Sequence, residues 1–128
     1  MVRRGEIWWY EHPDTRCRPH LIVTRDIVIP YLSDILAVPA TRTRRGIPIE
    51  VELTRHDGMP EECVLATDNL TLITASFLSE RITELSTDRM TAVCEAISIT
   101  TGCQGTTGTL ASGTATYYFC GRQSPSVP

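Results

Sequence analysis

The sequence predicts a mainly β (α+β) domain: a small antiparallel barrel or sandwich followed by one helix. Three observations predict it. Five short segments rich in Val, Ile, Leu and Trp are separated by turn-forming stretches, the mark of successive strands. One of them, Ile47-Pro48-Ile49-Glu50-Val51-Glu52-Leu53, alternates strictly, so one face is expected in a core and the two Glu in water. After Asp68-Asn69-Leu70 the period changes, and Ser86, Met90, Val93, Cys94 and Ile97 are spaced as on an amphipathic helix.

The strands are expected at residues 5–10, 19–24, 35–40, 47–53 and 63–66. In the first, adjacent Trp8 and Trp9 must face opposite ways, which commits at least one to the interior. Pro48 cannot donate to a ladder, so its strand is an edge strand or pairs only beyond the proline. The connections Glu11-His12-Pro13-Asp14, Arg44-Arg45-Gly46 and His56-Asp57-Gly58-Met59-Pro60 carry turn residues. Short strands joined this way favour an antiparallel barrel or sandwich over a parallel sheet. The helix is predicted over 87–100, with Ser86 as N-cap, Asp88 in the first turn and Gly102 just past the end. Its apolar face is expected to pack across one mouth of the barrel.

With 128 residues, 41% of them apolar, the chain suits one core. The domain is assigned to 1–103 and a tail to 104–128, where 14 of 25 residues are Thr, Gly, Ser or Pro. Within the tail, Thr116-Tyr117-Tyr118-Phe119-Cys120 is an apolar patch able to dock on the body or on a sheet edge. No run approaches the roughly 18 to 20 apolar residues of a membrane span, and the N-terminus lacks a signal-peptide stretch, so a cytoplasmic protein is expected. Five widely spaced cysteines without a C-x-x-C pair argue against a disulfide framework and against a zinc site. Cys63 and Cys94, inside apolar patterns, read as small buried hydrophobes.

The net charge of −3 hides an asymmetry: nine of twelve basic residues fall in the first 55 positions, among seven acids. All twelve are Arg. Genomic bias produces such a composition, and so does a need for bidentate phosphate contact.

Four pieces then stand in order: Arg4-Gly5-Glu6-Ile7-Trp8-Trp9, Arg18-Pro19-His20-Leu21-Ile22-Val23, Ala37-Val38-Pro39-Ala40-Thr41 and Asp68-Asn69-Leu70. Together they resemble the MazF/PemK family of toxin endoribonucleases over about residues 1–103. The resemblance implies a compact SH3-like barrel, a homodimer held silent by a cognate antitoxin, and cleavage of single-stranded RNA without a metal or other cofactor. The products it implies are a 2',3'-cyclic phosphate and a 5'-hydroxyl. It also implies a catalytic pair, which maps onto Arg18 and Thr41. Antitoxins of this kind thread an acidic, partly disordered segment along the toxin, and an arginine-rich front half suits that partner.

The chemistry supports the mapping. A ribose 2'-hydroxyl attacking the adjacent phosphorus builds negative charge on the nonbridging oxygens, which a guanidinium fork neutralises and a threonine hydroxyl can hydrogen-bond. Arginine is a poor proton acceptor, with a pKa above about 12. His20 shares the strand face of residue 18 and is the candidate for proton transfer; the alternative is that it merely fills an aliphatic position of the family. Arg16, Arg42 and Arg44, with Arg45, are candidates for a basic groove along an RNA backbone, or else a solvated turn. Trp9 is a candidate stacking surface for a base, or else part of a dimer interface, and Asp68 and Asn69 fall near an acidic-amide pair of the family pattern that reads base edges or holds the active-site loop.

Two departures stand out. Thr71 occupies a position where the family often carries arginine, and the connection from Tyr10 to Arg18 is short and without glycine. The rival expectation is a noncatalytic binding module on the same barrel, either a gyrase-poisoning toxin or a degenerate binder of RNA or antitoxin. The gyrase poisons act through an aromatic-Gly-Ile terminus, and the sequence reads Ser124-Pro125-Ser126-Val127-Pro128 there.

Overall fold

The computed structural model describes residues 1–103; the expectations for the tail lie outside the described residues. Seven strands and a helix follow one another: β1 (Glu6–Tyr10), β2 (Arg18–Ile22), β3 (Asp34–Thr41), β4 (Glu50–Leu53), β5 (Cys63–Ala66), β6 (Thr71–Thr74), β7 (Leu78–Glu84) and α1 (Thr87–Thr101). All pairings are antiparallel. The order is β4-β5-β3-β2-β1-β7, with β6 paired to β3 beside this path.

The sheet does not close into the expected barrel, because no ladder joins β4 to β7. Its ends meet through side chains instead. Thr83 on β7 donates from Oγ1 to the carbonyl of Asp57 at 2.9 Å. Gly58 packs against the same threonine so tightly that a Cβ there would lie 2.2 Å from its hydroxyl. With φ at +94°, Gly58 occupies a conformation that glycine alone adopts without strain.

Alternation sorts the sheet into two apolar faces. Ile7, Leu21, Val38, Ala40 and Leu53 form one core with Val93 and Ala96 of α1. Tyr10, Ile22, Ile35, Ala37 and Ile73 form a second, against which Trp8 and Phe77 pack. The helix thus packs its apolar side into the first of these cores. It begins where Ser86 accepts the Arg89 N–H at 3.2 Å, a cap worth about 1 kcal/mol, and ends at Gly102 in the left-handed conformation. Burying Val93 completely adds roughly 2 kcal/mol. Cys94, one residue further round, is exposed, which corrects the expectation that it is buried; Cys63 is buried as expected.

Pro48 precedes β4, which starts at Glu50 and lies at the end of the sheet. Of the two glutamates expected in water, the Glu52 side chain is 64% exposed but that of Glu50 only 4%. Strands β6 and β7 escape a search for apolar alternation. β7 has no fully buried residue and is held by its backbone ladder to β1, with register shifts. Among the described residues no helix is long and apolar enough to cross a membrane.

Candidate active site

Strands β2 and β3 pair with His20 opposite Pro39 and Ile22 opposite Ala37. Following that register to the strand ends sets Arg18, the first residue of β2, across from Thr41, the last of β3. Cross-strand neighbours of this kind share a sheet face. Both residues line a cleft of about 360 Å³, whose walls include Trp9, Arg16, Arg42 and Glu61. A second cleft, of about 510 Å³, shares Arg16 and Arg18 and adds Tyr10, His20, Asn69 and Thr71. Arg18 is thus common to two hollows, with Thr41 in one and His20 in the other.

The arginines divide sharply by partner. Arg42 bridges to Glu61 at 3.2 Å, Arg44 to Glu52 at 3.2 Å and Glu62 at 3.5 Å, and Arg45 to Glu50 at 2.7 Å and Asp68 at 2.8 Å. Arg16 and Arg18 make no ion pair among the described residues. Nor is Arg18 drawn to Asp26, which takes the Arg4 N–H at 2.6 Å and pairs with Arg3.

Thr41 Oγ1 accepts the Thr43 N–H at 3.2 Å, which leaves its own proton to donate elsewhere. His20 is 7% exposed. Its Nδ1–H donates to the Arg18 carbonyl at 3.2 Å, so the neutral ring carries a free lone pair on Nε2. Burial pushes its pKa below the ordinary histidine value, and the Arg18 charge acts in the same direction. Its ring meets Tyr10 edge-on at 5.1 Å.

The other candidate residues separate. Trp9, Arg16 and Arg42 line the first cleft and Asn69 the second. Arg44 and Asp68 line neither. Both Asp68 oxygens accept from Arg45, at 2.8 and 3.0 Å, and these bonds are the main cause holding the Asp68 carboxyl below its ordinary range. Arg45 does the same to Glu50.

Sequence reasoning missed His12 and Thr15 in the β1–β2 connection and Met59, Pro60 and Glu61 between β4 and β5. Their only signal was turn composition. The second of these walls is built by a capping box: the Thr54 N–H donates to Asp57 Oδ2 at 2.8 Å, and Thr54 Oγ1 accepts the His56 N–H at 3.2 Å. Arg89 of α1 anchors Asp57 at 3.0 Å. Burial raises the Asp57 pKa, but the Thr54 and Arg89 donors outweigh it and the net shift is downward. Among the described residues no group of three or more His, Cys, Asp or Glu is placed to hold a metal ion.

The model of PemK-like, MazF-like toxins of type II toxin-antitoxin systems matches residues 3–101. The chain is 38% identical over 103 residues, covering 80% of it and all of the relative, to a protein named "Probable endoribonuclease MazF2" from Mycobacterium tuberculosis. A solved M. tuberculosis toxin, MazF-mt6, superposes with a TM-score of 0.71 at 29% identity, over 78% of this chain and 99% of that one. An endoribonuclease solved in complex with its cognate antitoxin, from a mycobacterial species, shares the fold with a TM-score of 0.74 at 23% identity, over 82% and 99% of the two chains. On the fold, the order of its motifs and the extent of these matches, the chain belongs to the family of PemK-like, MazF-like toxins of type II toxin-antitoxin systems.

Proposed function

We propose that this toxin is an endoribonuclease that cleaves single-stranded RNA by attack of a ribose 2'-hydroxyl on the adjacent phosphorus, without a metal ion. The observation that carries the reading is Arg18, without an ion pair among the described residues, beside Thr41 at the junction of two clefts. The scissile phosphate sits against this pair, with the nucleotides on either side in the two hollows. As the O2'–P bond forms and the P–O5' bond breaks, charge accumulates on the nonbridging oxygens, where the Arg18 fork and the Thr41 hydroxyl donate. Such donors, fixed in advance, are each worth about 3 kcal/mol in the transition state.

His20 accepts the 2'-hydroxyl proton through Nε2, and the leaving O5' takes up a proton from solvent to become the 5'-hydroxyl. Its neutral state at pH 7 and its place in the cleft that holds Arg18 both support this role. Arg16 contacts a neighbouring phosphate, and Trp9 offers an aromatic surface to a base. An acidic antitoxin segment competes for the same two bare cations, Arg16 and Arg18, and so silences the enzyme. The toxin acts as a homodimer, which sedimentation of the purified protein reads directly.

Incubation of the purified protein with a long single-stranded RNA in excess EDTA tests the reading. Discrete fragments bearing 5'-hydroxyl and 2',3'-cyclic phosphate ends are expected. RNA that stays intact, or is cut only after a divalent metal is added, refutes it.

A further inference from the structure

Arg45 lies in the β3–β4 connection and lines neither cleft. Its Nε donates to Glu50 Oε2 at 2.7 Å, while Nη1 and Nη2 form a fork onto Asp68 at 3.0 and 2.8 Å. Glu50 is itself committed, since its other oxygen accepts the N–H groups of Arg45 and Gly46 at 3.0 and 3.2 Å. One guanidinium therefore joins three elements: the connection that leaves Thr41, the start of β4, and the one-turn helix Thr67–Asn69.

What hangs from those elements matters. Thr41, Arg42 and Thr43, just before Arg45, form part of the first cleft. Asn69, next to Asp68, forms part of the second. Isolated surface ion pairs contribute little, but a bidentate arginine with one nearly buried partner is the exception. Here the Glu50 side chain is 4% exposed and that of Asp68 30%.

We propose that Arg45 is a positioning residue, a clamp through Asp68 and Glu50 that fixes the Thr41 wall of one cleft relative to the Asn69 wall of the other. RNA threaded through both hollows is thereby held in a single register over the Arg18–Thr41 pair. The inference rests on the reading of the two clefts as the RNA site. It gives Asp68 a task other than contacting a base: the carboxylate acts on the protein, and its neighbour Asn69 faces the substrate cleft.

The consequence is separable from stability and from binding. Losing the clamp lets Thr41 drift from the phosphate, and a displacement of about 1 Å can cost as much as 100-fold in rate. Substrate affinity should change far less, because the bare cations of the cleft are untouched.

Arg45→Gln, Arg45→Lys and Asp68→Asn, each checked by melting, would be assayed for kcat and KM on a short RNA containing one cut site. Cut positions on a long RNA would be mapped in parallel with wild type and Arg18→Ala. The expected result is a fall in kcat of ~10-fold for Arg45→Gln and Asp68→Asn, with KM within about twofold, additional cut positions, and partial recovery in Arg45→Lys. Asp68→Asn keeps the shape of the site and decides the matter if Arg45→Gln does not fold. Wild-type kcat and cut positions in the folded variants overturn the clamp, as does a melting loss with unaltered kcat per folded molecule. If Arg18→Ala is inactive in that experiment, only the clamp has failed; if Arg18→Ala cleaves like wild type, the underlying reading fails with it.

Discussion

Two arginine-bearing connections flank the cleft, and they use the same side chain in opposite ways. Between β3 and β4, Arg42, Arg44 and Arg45 are all bound to carboxylates. Between β1 and β2, Arg16 and the adjoining Arg18 have no carboxylate partner among the described residues. A guanidinium held by the protein builds a wall, whereas one left bare can meet a phosphate. The contrast shows why counting basic residues misleads: the charge available to a ligand is what remains after internal pairing.

The largest effect should follow removal of the Arg18 side chain. Arg18→Ala is expected to lower kcat/KM by ~10²–10³-fold while melting with the wild type, since no ion pair is lost; retention of activity would place the chemistry elsewhere. Next is His20→Gln, expected to cost ~10²-fold. Because burial lowers the His20 pKa, the ring takes up its proton at a pH below the ordinary value near 6.5. The wild-type rate should therefore fall with a midpoint below that value, and a decline centred above it would contradict the assignment.

Smaller effects probe the paired region. Glu61→Gln releases Arg42, whose bridge is exposed on both sides and worth about 0–1 kcal/mol. It should raise affinity for RNA severalfold at low salt and less at high salt, where a loss of binding would show Glu61 to be a substrate contact. In acid, Glu50 and Asp68 report on the clamp. Both have pKa values lowered in the fold, chiefly by hydrogen bonds from Arg45, so they add stability above their unfolded values and lose it as pH drops through the folded ones. Below about pH 4 the melting temperature of wild type should fall more steeply than that of Asp68→Asn; parallel curves would show that the pair contributes nothing.

The sequence carries this contrast only in part. The bounds of β5 and both ends of α1 follow from local patterns, namely a four-residue apolar run and the Ser86 and Gly102 caps. β6 and β7 do not, because their place depends on ladders to β3 and β1 formed across long stretches of chain. Cys94 misleads because one residue's rotation on a helix turns a side chain from core to solvent. In the site, Arg18 and Thr41 sit in recognisable motifs, but the partners that neutralise Arg42, Arg44 and Arg45 arrive from β4, from the β4–β5 connection and from Asp68. No local pattern announces those pairings. Asp68 and Asn69 are adjacent in sequence and look alike as base readers, yet the fold turns one toward Arg45 and the other into the second cleft.

That Arg18 and Thr41 act on one phosphate is tested most directly by a double-mutant cycle. Wild type, Arg18→Ala, Thr41→Val and the double variant would be compared in kcat/KM on one RNA. Donors to the same phosphate are expected to couple, so that the double variant loses markedly less than the product of the two single losses. Losses that multiply as for independent sites would mean that the two side chains do not meet at a common phosphate.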